Sequence, residues 1–131
     1  MKETIYVKPE LSEMAQIIIF VERILKKHHA STRSIFQIGI IADEIFSNIV
    51  HYSGANEAAV ECDIADGVLT MCFYDNGRPY DPTGKEDPDI TLPAAERKIG
   101  GLGIFMVKEM VQGMEYIYNQ GYNILTIHKL L

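Results

Sequence analysis

Cysteine is scarce in this chain, a concentrated basic patch is missing, and no hydrophobic run is long enough to cross a bilayer. Only Cys62 and Cys72 occur. Neither has the C-x-x-C spacing of a zinc site, and both read as reduced, small apolar fillers of a cytoplasmic protein. Twelve Lys and Arg against eighteen Asp and Glu leave a formal charge of -6. That charge is spread along the chain, which argues against a nucleic-acid backbone as partner, because such binding needs a basic face. A single nucleotide is not excluded, since a helix terminus and a metal supply positive potential locally. With no spanning run and no signal-peptide pattern, no membrane association is expected.

What is present is ordinary globular material. The 131 residues are 47% hydrophobic and 23% charged, enough for one domain with a real core, read here as residues 1–131. The stretch from Ile35 to Tyr52 dominates the pattern. It reads as one helix of roughly five turns, N-capped by Ser31 or Thr32. It is apolar nearly all round, through Ile35, Phe36, Ile38, Ile40, Ile41, Ala42, Ile45, Phe46, Ile49 and Val50, which predicts burial on most sides. Glu44, Asn48 and His51 interrupt it at i, i+4 and i+7 as one polar stripe. Such a stripe marks either a solvent edge or a set of groups awaiting a partner, protein or ligand.

Around this helix the chain alternates short elements. Residues 4–8 read as a strand closed by Pro9. Residues 10–29 read as a helix with Leu11, Met14, Ile18, Val21, Ile24 and Leu25 on its apolar face and Lys26 to His29 at its favourable cationic end. Adjacent His28 and His29 point to different sides, so they make a poor metal pair. Ser53-Gly54-Ala55-Asn56 is a turn. Asp66-Gly67 then predicts a two-residue hairpin pairing Ile64 with Leu69, Cys62 with Met71 and Val60 with Phe73. That register puts the two cysteines on opposite faces. It also sets Asp75 on the same face as Leu69, Met71 and Phe73, where it is either a turn aspartate of Asp75-Asn76-Gly77 or a carboxylate needing a partner.

Residues 78–99 are loose and rich in Pro, Gly and acids, either a lid or a disordered insertion, with one helical turn expected at Ala94 to Lys98. Gly100-Gly101-Leu102-Gly103 runs into a helix from Ile104 to Val111. Glycines there either break a loop or open backbone N–H groups to an anion. The segment is neither a dinucleotide fingerprint, lacking the G-x-G-x-x-G spacing, nor a P-loop, lacking Gly-Lys-Ser/Thr. A last hairpin turns at Gln120-Gly121 and pairs Met114 with Ile127 and Tyr116 with Leu125. Its other face carries Ile117 and Ile124.

The ordered trio of Glu44-x-x-x-Asn48, Asp75-x-Gly77 and Gly100-Gly101-Leu102-Gly103 resembles the N box and the two glycine boxes of the GHKL, or Bergerat-fold, histidine-kinase-like ATPases. The likeness spans roughly residues 5–130. Asp75-x-Gly77-x-x-Tyr80-Asp81-Pro82 and the short loop to Gly100 are similar to the anti-sigma-factor serine/threonine kinase branch. Arg78-Pro79 and Gln112-Gly113 depart from that pattern.

The resemblance implies an α+β fold, a two-layer α/β sandwich whose mixed, mostly antiparallel sheet has helices on one face. It implies ATP and Mg²⁺ as cofactors, with a flexible lid at about 82–99. Asn48 would then be the Mg²⁺ ligand and Glu44 the catalytic base. Asp75 would accept from the adenine amino group, with Gly77 letting the base approach. The segment Gly100, Gly101, Leu102 and Gly103 would hold phosphate, with N–H groups from Gly101 and Gly103, and Arg97 would reach the γ-phosphate. The implied function is a regulatory protein serine/threonine kinase that phosphorylates a STAS-type antagonist and sequesters a sigma factor or similar regulator. It would work in the cytoplasm as a homodimer. A non-catalytic nucleotide-binding switch and a ligand-free structural domain are the competing readings.

Overall fold

The computed structural model describes residues 2–84 and 102–131. In chain order the elements are β1 (Glu3–Val7), α1 (Met14–Lys27), α2 (Thr32–Asn48), β2 (Ala58–Ala65), β3 (Val68–Asp75), α3 (Leu102–Met110), β4 (Gly113–Asn119) and β5 (Tyr122–Leu130). The strands form one sheet in the order β1-β2-β3-β5-β4. All four pairings are antiparallel, so the mixed sheet expected from the resemblance is antiparallel throughout the described residues.

Turn chemistry sets the registers. Asp66 and Gly67 both take positive φ, 53° and 75°, the geometry that matches strand twist in a two-residue hairpin. Ile64 therefore faces Leu69, Cys62 faces Met71 and Val60 faces Phe73. At the second hairpin Met114 faces Ile127 and Tyr116 faces Leu125. Every second residue thus points at the helices. Val60, Cys62, Leu69, Met71, Phe73, Leu125 and Ile127 join Ile17, Leu25, Ile38, Ile41, Phe46 and Val107 in a single core. Cys62 is buried in it, its thiol pushed up to about 12 chiefly by desolvation. Cys72 points to the opposite face, and both thiols are free.

Two helices differ from the sequence reading. The first begins as a 3-10 turn at Leu11–Glu13, with Leu11 half exposed, and ends at Lys27. It stops there because His29 turns left-handed, at φ 59°. The reversal sends the Ala30 N–H back to the Leu25 carbonyl at 2.9 Å, a C-terminal closure more often made by glycine. In α2, Ser31 is the N-cap, its hydroxyl accepting from the Ser34 N–H at 3.0 Å. That helix is buried or half-buried over most of its length, but Phe36, counted among its apolar residues, is 69% exposed. Its last turn, Ile49–Ser53, widens to a π-helix.

Candidate functional site

The site lies where the three central strands end together, with Asp75 of β3 flanked by Ala58 of β2 and Asn123 of β5. Strand parity aims Asp75 under the helices, and it is only 4% exposed. One carboxylate oxygen, Oδ1, accepts from the Gly77 N–H and from Asn123 Nδ2, each at 2.9 Å. The other oxygen, Oδ2, receives no hydrogen bond from the described residues.

The loop after Asp75 is strapped on both sides. The Asn76 side chain accepts from the Asn56 and Glu57 N–H groups at 2.9 and 3.0 Å. The Arg78 N–H donates to the Ser53 carbonyl at 2.9 Å. Gly77 therefore packs directly on the π turn, and a Cβ there would overlap the Ser53 carbonyl and come within 2.7 Å of the Ser53 Cβ. The Ser53 hydroxyl donates back to the Ile49 carbonyl at 2.8 Å. A widened helix turn is a common device at functional sites, and here it carries the glycine loop. His51, the third member of the stripe predicted with Glu44 and Asn48, lies in this widened turn. It is exposed, with its ring edge-on to Tyr52 at 6.1 Å.

Asn123 closes the other side. Its Nδ2 also donates to the Arg78 carbonyl at 2.8 Å, and its Oδ1 accepts from the Tyr80 N–H at 3.0 Å and from the Tyr116 hydroxyl. Desolvation is the main cause that raises the Tyr116 hydroxyl above the usual tyrosine value. Tyr80 stacks on Tyr52 with ring centroids 5.8 Å apart. Sequence reasoning passed over Asn123, Tyr116 and Ser53. The signal was there for Asn123, a polar residue in phase with Leu125 and Ile127 on a core-facing strand.

These groups line a cavity together with Asn48, Ile49, Ile45, Ile104, Phe73 and Pro82. The space open to the centre of a water molecule is about 20 Å³, room for one or two waters. Anything larger enters only as the walls separate. Apolar walls with a few convergent polar groups are the usual composition of a small-molecule site.

The structure brings Asn48 and Asp75 to one cavity and sets Glu44 beside it. The Glu44 carboxyl lies against the backbone of Gly103, in the first turn of α3, where a Cβ would collide with it. Leu102 begins α3. Arg97, Gly100, Gly101 and the helical turn expected at Ala94 to Lys98 lie outside the described residues, as does most of the expected lid. Among the described residues no cluster of three or more His, Cys, Asp or Glu is arranged for a metal. One amide oxygen, from Asn48, suits a Mg²⁺ that arrives on nucleotide phosphates, because Mg²⁺ commonly takes one or two protein ligands and completes its shell with phosphate and water.

A buried carboxylate at a strand end, a helix amide lining the same cavity and a helix that opens at Leu102-Gly103 beside them come together at one end of the sheet. The histidine kinase-like ATPase domain matches residues 7–129, and the chain belongs to that family. Among characterised proteins it is 25% identical, over 114 residues, to the serine/threonine-protein kinase BtrW of Bordetella bronchiseptica, covering 84% of this chain and 80% of that one. The kinase branch is the one that the motifs resemble. The fold is also that of a crystal structure of the RsbU and RsbW domains of Rv1364c from Mycobacterium tuberculosis, with a TM-score of 0.70, 15% identity and 98% of this chain covered. This chain spans 32% of the length of that solved chain. Among the described residues no helix is long and apolar enough to cross a membrane.

Proposed function

We propose that this chain is a regulatory protein serine/threonine kinase of the anti-sigma-factor type. It binds ATP with Mg²⁺ in the Asp75 cavity and phosphorylates a STAS-type antagonist while holding a sigma factor or similar regulator. The observation that carries the reading is the Asp75 carboxylate, buried to 4% exposure, with one oxygen accepting from two protein donors and the other receiving none among the described residues. The family membership and the serine/threonine kinase relative support it.

In this reading Asp75 accepts from the adenine amino group, and Gly77 keeps the loop thin enough for the base to approach. Asn48 is the protein ligand of the Mg²⁺, which neutralises phosphate charge when it is bound. Arg97 and the Gly100 to Gly103 segment hold the phosphates. The partner's hydroxyl oxygen attacks the γ-phosphorus, the bond to the β–γ bridging oxygen breaks, and ADP leaves. Glu44 takes the hydroxyl proton. Incubation of the purified chain with labelled ATP, Mg²⁺ and a STAS-type protein tests this. Label on a serine or threonine of the partner is expected, and nucleotide binding without transfer favours the non-catalytic switch.

Self-association belongs to the same reading. The sheet face away from the helices exposes Ile117 at 55% and Tyr6 at 81%, with Ile117 paired to Ile124 across the strands. Apolar surface of this kind marks interfaces. A homodimer through this face is expected at micromolar concentration, and a monomer alone in sedimentation would contradict it.

A further inference from the structure

We propose that the outer face of the sheet carries a docking slot for an arginine side chain of a partner protein, walled by Tyr6 and Tyr74, floored by Ala59 and ended by Glu57 and Glu61. The slot is independent of the Asp75 cavity, which lies on the other face of the sheet.

Register makes the slot. Ala59 of β2 pairs with Tyr6 of β1 on one side and with Tyr74 of β3 on the other. The two tyrosines are thus two strand spacings apart, about 9.5 Å between backbones, with only a methyl group between them. Glu57 and Glu61 stand two residues to either side of Ala59, so strand parity gives them the same face. These five residues and Tyr122 line a hollow of about 400 Å³. Tyr6 is 81% exposed. The Tyr122 hydroxyl donates to Glu57 Oε2 at 3.2 Å. Ring faces beside carboxylates attract a cation through the ring quadrupole and through charge together. A guanidinium suits the slot better than an ammonium, because it is planar, stacks on aromatic faces and holds its N–H donors in a fork that matches carboxylates.

Charge complementarity selects the occupant. Among the described residues, the outward-facing strand positions carry Glu61, Asp63 and Glu115 and no Lys or Arg. The strands of a second copy laid on this face would bring carboxylates and no guanidinium, so the arginine comes from a different protein. Lys2 reaches Glu61 only at 3.8 Å with its side chain 68% exposed, a loose surface pair of little worth that an incoming cation displaces. Ile117, proposed above for self-association, lies on β4 at the far edge of the sheet.

Titration of the isotope-labelled full chain with Nα-acetylarginine amide, followed by amide resonances, tests the slot. Saturable shifts are expected at Tyr6, Ala59 and Tyr74. The citrulline analogue, which has the same shape without the charge, should bind about tenfold more weakly, and the lysine analogue more weakly than arginine. Tyr6→Ala removes a wall at an exposed position, Ala59→Val fills the floor with a residue that strands favour, and Glu61→Gln removes one charge. Each should weaken arginine binding by about threefold or more. Binding of ATP should be unchanged in all three, so failure of the slot leaves the nucleotide reading standing. Absence of a saturable shift at these residues overturns the proposal. Equal binding of arginine and citrulline, or of arginine and lysine, overturns the guanidinium assignment. Shifts at the same residues on concentrating the chain without any probe would give the slot to a second copy and also overturn it.

Discussion

The carboxyl of Glu44 rests on the backbone of Gly103, so close that a methyl group on residue 103 would overlap it. This contact joins α2 to the mouth of α3, whose Ile104 lines the cavity shared by Asn48 and Asp75. Alanine ordinarily favours a helix over glycine by up to about 1 kcal/mol. At position 103 that gain is expected to disappear, because the methyl displaces Glu44. Phosphoryl transfer by Gly103→Ala should fall by about tenfold or more. A double-mutant cycle with Glu44→Ala should show a coupling of about 0.5 kcal/mol or more in denaturant unfolding. Strict additivity would mean that the two residues do not meet.

Gly77 is the equivalent contact on the other side of the cavity. Gly77→Ala puts a methyl into the Ser53 carbonyl, and relief requires moving either the loop or the π turn. A loss of about 1–3 kcal/mol in stability is expected, together with weakened ATP binding. Denaturant melts and calorimetry measure the two effects separately. A fully stable variant with native affinity would show that the loop yields freely.

Much of this was legible in the sequence, for identifiable reasons. Asp66-Gly67 and Gln120-Gly121 named their turns, and a two-residue turn leaves a hairpin only one register, which put Asp75 on the inner face. The family and fold followed from the order of the three motifs. The Asn123 clamp was not legible, because it depends on β5 lying beside β3. That pairing joins residues 48 apart in the chain, Asp75 and Asn123, and local pattern does not specify it. The exposure of Phe36 was misread because a helix that is apolar all round does not say which side remains uncovered.

Lys129 gives a pH dependence. It is 7% exposed, and desolvation first, then the positive charge of Arg33, lowers it from the usual lysine value of 10.5. Folding therefore disfavours its charged form. That cost is fully present below the depressed folded value and is lost as pH rises through the usual lysine range. Lys129→Met should raise the melting temperature at pH 7, and the advantage should shrink as pH approaches and passes 10.5. Thermal melts of both proteins across that range measure it, and a pH-independent difference would assign the effect to packing.

Asn48 and Glu44 lie one turn apart on α2 but have separate roles in the proposed reaction. Asn48→Ala should lower both nucleotide affinity in Mg²⁺ and phosphoryl transfer. Glu44→Gln keeps the shape and removes the basicity, so affinity should stay within a few-fold while transfer drops by roughly 10²-fold. Calorimetry and a label-transfer assay on both variants separate these outcomes. Full transfer by Glu44→Gln would remove the base role.

The most direct measurement of the central claim is the melting curve of the wild type and of Asp75→Asn, each with and without millimolar ATP and Mg²⁺. The amide oxygen of the substituted side chain can still accept from Gly77 and Asn123, so the variant should fold, but it presents an N–H where the adenine amino group needs an acceptor. A ligand that binds only the folded state stabilises it by RT ln(1 + [L]/Kd). The expected result is a clear upward shift for the wild type and little or none for Asp75→Asn. An unmoved wild-type curve, or an equal shift in both proteins, would contradict an adenine-nucleotide site at Asp75.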